Sequence, residues 1–290
     1  MKKQKSIYKT PQGKANVWAL YDEQLKRIDA AYVDKYVSTS FGKTHITETG
    51  NMRGVPLLVF HGGNATSAYN LLACGFLFAL FHIYAVDTIG HPGKSAETVL
   101  SAKNYDYGKW ASEVISAIGY DSIRCFGGSY GAGIIAKTMC VAPDKIEKAV
   151  LYVPAGIKNA PAINSISMMI PMLLYWLTHK ESWLKKCLLP MAIAEGNITE
   201  DLYRTAKCSI DSCRIKAGMP SNVPQRYIEQ CKAPTLVMAA EKDCLFPAKQ
   251  VIPRAQNVIT NCTAYLLSGR GHMNTLSEKE KEMIIDFLLL

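Results

Sequence analysis

Ile123-Arg124-Cys125-Phe126-Gly127-Gly128-Ser129-Tyr130-Gly131-Ala132-Gly133-Ile134-Ile135-Ala136 joins a short apolar run, a glycine-rich turn and the start of a helical pattern. Inside it, Gly127-Gly128-Ser129-Tyr130-Gly131 matches Gly-x-Ser-x-Gly. Such a pentapeptide is common in ordinary turns, so its context carries the weight. A serine presented on a strand-to-helix turn needs small residues on both sides, because the chain reverses too tightly for larger ones. Here the apolar run 123–126 precedes the turn and a helical pattern over 130–141 follows it. The turn is expected to expose the Ser129 hydroxyl at the carboxyl end of a strand, with the Tyr130 N–H beside it as a donor for a developing negative oxygen.

Further apolar, β-branched runs recur at residues 57–60, 83–86, 149–153, 236–240 and 264–267, with another helical pattern over 107–118. Runs that stay apolar without alternating are what a parallel sheet covered on both faces requires. The expected class is α/β, with a doubly wound, mostly parallel sheet. The rhythm breaks once: residues 155–223 hold helical patterns and no strand, which predicts a helical cap inserted into a core of 38–154 and 224–290. Ahead of the core, Trp18, Tyr21, Leu25, Ile28, Tyr32 and Tyr36 recur every three or four residues. That stripe predicts an amphipathic helix over 17–37, within an N-terminal extension of residues 1–37. Residues 44–48 alternate like a strand, and Gly50-Asn51 reads as a hairpin turn into 56–60.

A serine hydroxyl is a weak nucleophile near neutral pH until a base takes its proton. Six histidines are available. His272 is the foremost candidate, because Ser268-Gly269-Arg270-Gly271-His272 is a loop directly after the run 264–267. His61 reads as a brace for the turn after 57–60, His45 as a residue of an exposed hairpin, His82 as the start of a strand, His91 as a loop residue and His179 as part of the cap. The imidazole in turn needs a carboxylate to hold its tautomer. Asp243 follows the run 236–240 and is placed to reach the histidine loop, whereas Glu241, its nearest competitor, sits at the strand end. The other usual location, after 149–153, offers no acid between Glu147 and Glu181. The turn His61-Gly62-Gly63-Asn64 is expected to supply a second N–H for the negative oxygen, from Gly63, with Asn64 as the alternative donor.

The chain order Ser129, Asp243, His272 is that of α/β-hydrolases and not that of chymotrypsin or subtilisin. Together with His61-Gly62-Gly63 and Asp87-Thr88-Ile89-Gly90-His91-Pro92-Gly93-Lys94-Ser95, it makes the sequence from about Tyr36 to Leu290 resemble the capped serine hydrolases of that superfamily, often called carboxylesterase-like. The resemblance implies a triad of Ser129, His272 and Asp243 and an oxyanion hole from the N–H groups of Gly63 and Tyr130. It further implies cleavage of carboxylic esters of small or medium acyl groups through an acyl-enzyme, with no metal and no organic cofactor. Ser129, in place of aspartate, argues against haloalkane dehalogenase or soluble epoxide hydrolase chemistry. The doubled glycines are also similar to those of proline iminopeptidases, so an aminopeptidase of that type is the alternative, with Glu181, Glu195, Glu200 and Asp201 available in the cap for a substrate ammonium. Asn64 departs from the proline that follows His-Gly-Gly there. A non-catalytic ligand-binding member of the fold is a third reading, weakened because no triad position is lost.

Composition closes off other classes. With 290 residues, 49% hydrophobic and 20% charged, the chain is neither disordered nor fibrous. The net charge of +9 is spread from Lys2 to Lys281 and forms no basic tract, so no nucleic-acid partner is expected. Nine cysteines without Cys-x-x-Cys pairs read as reduced thiols in a cytoplasmic protein. The basic residues 1–5 lack the apolar stretch that would make them an export signal. Residues 54–86 and 159–179 contain no Asp, Glu, Lys or Arg. The first is broken by His61-Gly62-Gly63-Asn64 and the second by Pro161, Asn164, Ser165, Ser167 and Pro171, so stable membrane insertion is not expected. In the cap, Met168, Met169, Met172, Leu173 and Trp176 are expected to line a tolerant acyl pocket. Two other motifs fail: Gly93-Lys94-Ser95 has Thr88 where a phosphate loop needs glycine, and Gly131-Ala132-Gly133-Ile134-Ile135-Ala136 lies inside the serine turn and reads as close helix packing.

Overall fold

The computed structural model describes residues 6–161, 163, 166–214 and 218–290; the basic start at 1–5 and the interruptions Asn164 and Ser165 lie outside them. Eight strands form one sheet: β1 (Tyr32–Thr39), β2 (Gly42–Gly50), β3 (Val55–Phe60), β4 (Phe81–Val86), β5 (Ile123–Gly128), β6 (Ile146–Tyr152), β7 (Thr235–Ala240) and β8 (Cys262–Leu267), in the order β1-β2-β4-β3-β5-β6-β7-β8. β2 is antiparallel to β1 and β4, and every other pairing is parallel. The helices are α1 (Pro11–Leu25), α2 (Ser67–Ala73), α3 (Asp106–Ala117), α4 (Tyr130–Val141), α5 (Ile166–Thr178), α6 (Glu181–Ala192), α7 (Glu200–Ser212), α8 (Gln225–Ile228), α9 (Ala248–Val258) and α10 (Glu278–Leu289).

Alternate strand residues enter two separate cores, which is why the central runs are continuously apolar. Leu58, Phe60, Cys125, Leu151, Val237 and Ala239 face α3, α4 and α9, where Trp110, Ile135 and Val251 are fully buried. Leu57, Val59, Phe126, Val150, Leu236 and Met238 face the other side, with Leu71 of α2 and Ile284 and Leu288 of α10. The sheet is therefore doubly wound, as the sequence predicts. Between β6 and β7 the described residues form α5 to α8 and no strand of the sheet.

The first forty residues differ from expectation. The helix ends at Leu25, and Tyr32 and Tyr36 belong to β1 at the edge of the sheet, where they are 38% and 46% exposed. Residues four apart share a face in a strand as well as in a helix, so the spacing of Tyr32 and Tyr36 did not discriminate, while the aromatic and β-branched content of 32–39 suits a strand. Gly50-Asn51 turns the chain without making the expected hairpin. The Asn51 N–H donates to Phe81 O (3.0 Å) and the Val55 N–H to Leu80 O (3.1 Å), which carries the chain past the start of β4 and puts β3 on its far side. His45 is not exposed. It is fully buried on β2, with Nδ1 2.9 Å from Asp87 Oδ2 and Nε2 3.1 Å from Asp34 Oδ1.

Asp87, just beyond β4, organises this corner. Its Oδ1 accepts from the Ser67 N–H (3.0 Å) and hydroxyl (2.8 Å), and its Oδ2 from the Lys94 N–H (2.8 Å) as well as His45. A Cβ on Gly93 would stand 2.6 Å from the carboxyl carbon, so the loop 87–95 closes over the carboxylate only because Gly93 lacks one. Burial by itself would raise the Asp87 carboxyl, but His45 and the other donors outweigh it and hold it below the usual aspartate range. Its ionised form therefore stabilises the fold above the unfolded aspartate pKa of about 3.9, and that stabilisation disappears as the pH falls through the lower folded value. Asp87→Asn should lower stability at neutral pH by about 3 kcal/mol or more. In urea titrations the gap between wild type and variant should stay constant from neutrality to mild acid and narrow below about pH 4; a gap that does not change with pH would contradict this account.

Candidate active site

Ser129 stands between β5 and α4 with φ 52 and ψ −112, a backbone conformation an L-residue adopts at a cost of about 1–3 kcal/mol. The surrounding chain holds it there. Its N–H donates to Tyr152 O (2.8 Å), and its carbonyl accepts from Gly133 N (3.1 Å) and Ala155 N (3.2 Å). A Cβ on Gly127 would lie 2.6 Å from the Gly131 carbonyl carbon, and one on Gly131 would lie 2.4 Å from Phe60 O. Both glycines of the motif are thus required by contacts. β5 and β4 flank β3 on opposite sides, so strand order reverses here, and the crevice at the carboxyl ends of such strands is where α/β sheets bind ligands.

His272, in the loop after β8, places Nε2 3.0 Å from Ser129 Oγ and Nδ1 2.8 Å from Asp243 Oδ2. Asp243 is buried, and its other oxygen accepts from the N–H groups of Leu245 (2.7 Å) and Phe246 (3.0 Å). Burial pushes this carboxyl up, yet His272 and the two backbone donors more than compensate, so it is held below the usual range. Phe246 packs edge-on against the His272 ring, with centroids 5.3 Å apart. Glu241 does something else. Its Oε2 accepts from the Gly269 N–H (2.6 Å) and the Ser268 hydroxyl (3.0 Å), bracing the loop that carries His272. Arg270 braces the same loop from the other end through Glu280 of α10 (2.6 Å).

The turn after β3 packs on the elbow: a Cβ on Gly62 would be 3.8 Å from Ser129 Cβ, and one on Gly63 would be 3.4 Å from the Tyr130 ring. His61 donates from Nδ1 to Gly62 O (2.7 Å) and accepts the Thr88 N–H at Nε2 (3.0 Å), so it braces the turn. Asn64, at φ 57, gives its N–H to His91 Nδ1 (3.3 Å). Sequence reasoning left His91 as a loop residue, although its place in the motif after β4 was the available signal. It is buried against the Tyr130 ring, with centroids 4.5 Å apart, and burial pushes its pKa down to about 3, which keeps Nδ1 free to accept.

The five cap side chains do not converge. Met172 packs with Tyr175, Leu184, Leu188 and Tyr203, and Met168 is half-buried, whereas Met169, Leu173 and Trp176 lie open on α5 at 63%, 53% and 52% exposure. It is α6 that reaches the histidine loop. Met191 O accepts the Met273 N–H (2.9 Å), and a Cβ on Gly271 would meet Met191 O at 2.4 Å and Ile193 Cγ1 at 2.6 Å. Among the described residues no group of three or more His, Cys, Asp or Glu side chains could hold a metal, and no helix is long and apolar enough to cross a membrane. A cleft of about 670 Å³ beside Arg27, Asn51 and Leu71 contains none of the residues brought together at Ser129.

The sequence model of a family described as alpha/beta hydrolase fold matches residues 55–191. Carboxylesterase YbfK of Bacillus subtilis is 26% identical over 278 residues, covering 92% of each chain. Its crystal structure, as carboxylesterase CesB, superposes with a TM-score of 0.79 at 22% identity, over 96% of this chain and 99% of that one. Naproxen esterase of the same organism superposes at 0.81 and 19% identity, again over 96% and 99%. With a sheet order that reverses beside β3, a serine on the turn that follows β5 and these likenesses along nearly its whole length, the chain has the α/β-hydrolase fold and is similar to carboxylesterases.

Proposed function

We propose that the protein hydrolyses carboxylic esters of small or medium acyl groups through an acyl-enzyme. One observation carries the reading: Ser129 Oγ, His272 and the buried Asp243 form an unbroken hydrogen-bonded line at 3.0 and 2.8 Å. Two relatives named carboxylesterases, similar along 92% and 89% of the chain, support an ester as the bond attacked.

In this mechanism Ser129 Oγ bonds to the ester carbon while its proton passes to His272 Nε2, and the carbonyl π pair moves onto oxygen. The N–H groups of Tyr130 and Gly63 receive that oxyanion. Gly63 is favoured over Asn64 because the Asn64 N–H is already given to His91. The carbon–alkoxy bond then breaks as His272 returns the proton to the departing alcohol. Water repeats the sequence on the acyl-enzyme and regenerates Ser129. Asp243 keeps the Nδ1 proton in place and stabilises the transient imidazolium. The helices α5–α7 act as a cap, fixed to the histidine loop through Met191 and Met273. A peptidase reading gains nothing from Asp201, whose carboxylate is occupied by both Arg27 nitrogens at 2.6 and 2.7 Å. Nine free cysteines, most of them buried, agree with a cytoplasmic location.

Ser129→Ala should leave the circular dichroism unchanged, abolish fluorophosphonate labelling and reduce turnover of a small activated ester by several orders of magnitude. Retained activity would refute the assignment. Asp243→Asn should reduce turnover by roughly 10⁴, while Glu241→Gln should change it only a few-fold; the reverse ranking would exchange their roles. Gly271→Ala should force the end of α6 away from the histidine loop, lowering stability by about 1–3 kcal/mol and shifting acyl-length preference across an ester panel. An unchanged preference would detach the cap from substrate selection.

A further inference from the structure

The open face of α5 is the largest feature that the proposed chemistry leaves unused. Ile166, Met169, Ile170, Leu173, Trp176 and Leu177 are between 48% and 72% exposed and recur at intervals of three or four. They form one stripe, while Tyr175 on the opposite side is buried in the core shared with α6 and α7. A stripe of this size left bare on a water-facing helix marks a surface that something covers. No Asp, Glu, Lys or Arg occurs from residue 159 to 179, and the charges around that interval are nearly all of one sign. From Lys158 to Ala194 the chain carries Lys158, Lys180, Lys185 and Lys186 against the single acid Glu181. All four lysines are exposed, and among the described residues none of them forms an ion pair.

From this juxtaposition we propose that α5 docks the protein, in the plane of the interface, on an anionic lipid surface. An apolar stripe that sinks into the acyl boundary, a tryptophan at its margin and lysines that reach phosphate headgroups are the parts such docking needs. A second copy of the chain fits less well, because pairing two such faces would bring the two sets of lysines together on molecules that each carry +9. The docking is peripheral, since α5 has thirteen residues and cannot cross a bilayer. It is also positioned for use: α5 packs on α6, whose end holds the His272 loop through Met191.

The test is flotation of the full chain with vesicles of equal parts phosphatidylcholine and phosphatidylglycerol, against vesicles of phosphatidylcholine alone. Binding should be confined to the anionic vesicles, weaken with salt, and shift Trp176 emission to the blue. Ile170→Glu with Leu177→Glu should abolish flotation while leaving turnover of a water-soluble ester unchanged. Substituting Lys180, Lys185 and Lys186 by Gln should cost roughly fivefold in partitioning per residue. Equal binding to both vesicle types, or flotation that survives the glutamates, would overturn the proposal. So would a wild-type dimer in light scattering that the glutamates dissociate without any vesicle binding, because the face would then belong to a second copy. None of these readouts depends on the chemistry assigned to Ser129, so either reading can fail alone.

Discussion

The reactive end of the sheet depends on one steric condition: no Cβ stands at residues 127 and 131. With side chains there, the first turn of α4 and the end of β5 would overlap each other and the carbonyl of Phe60. Without them, α4 starts directly against β3 and the chain can turn through Ser129 at positive φ. That close approach brings Gly62 and Gly63 to the elbow, so the turn after β3 and the turn after β5 are neighbours. The strain at Ser129 is sustained by three hydrogen bonds from two segments, the first turn of α4 and the chain at and just beyond the end of β6.

The second requirement is electrostatic and explains why two acids two residues apart behave differently. Glu241 stands at the surface and spends its oxygens on the N–H and hydroxyl donors of the 268–269 turn. Asp243 lies deeper, where burial would neutralise an isolated carboxyl, and it remains ionised because three donors converge on it. One acid shapes the loop and the other addresses its histidine.

The grouping of Ser129, Asp243 and His272 was legible because each sits in a loop directly after an apolar strand run, and three such loops at one end of the sheet leave few ways to combine. Alternation at 44–48 marked β2 as a strand, but its burial was not legible, because it carries Thr44, His45, Thr47, Glu48 and Thr49 and no hydropathy pattern places such residues inside. Each polar group is satisfied by a partner distant in sequence: Trp110 Nε1 reaches Thr44 Oγ1 (2.9 Å), Tyr21 OH lies 3.0 Å from Thr47 Oγ1, and Lys35 and His82 hold Glu48. The burial of His45 likewise required Asp87, forty-two positions on. The orientation of α5 was beyond reach too, because a helix apolar on nearly every face does not say which face its neighbours take.

The N-terminal segment ties the helices between β6 and β7 to the body. α1 buries Val17, Tyr21 and Leu25, and along its length it is tied to α7 by Arg204 to Glu23, Arg27 to Asp201 and Gln24 to Thr205 (2.9 Å). Upstream of it, the Lys9 N–H donates to Ser212 O (2.8 Å) and the Arg214 N–H to Ile7 O (2.7 Å), while Tyr8 OH and Trp18 Nε1 both reach Gly93 O. The segment therefore joins α7 to the loop that closes over Asp87, and α6 meets the histidine loop at another point. Two of the three long helices between β6 and β7 are thus pinned to the body near Ser129, and α5, which carries the bare apolar stripe, is attached mainly through its packing on α6 and on the core around Tyr175. The exposed apolar surface thus lies on the helix of the three that has the fewest ties to the body.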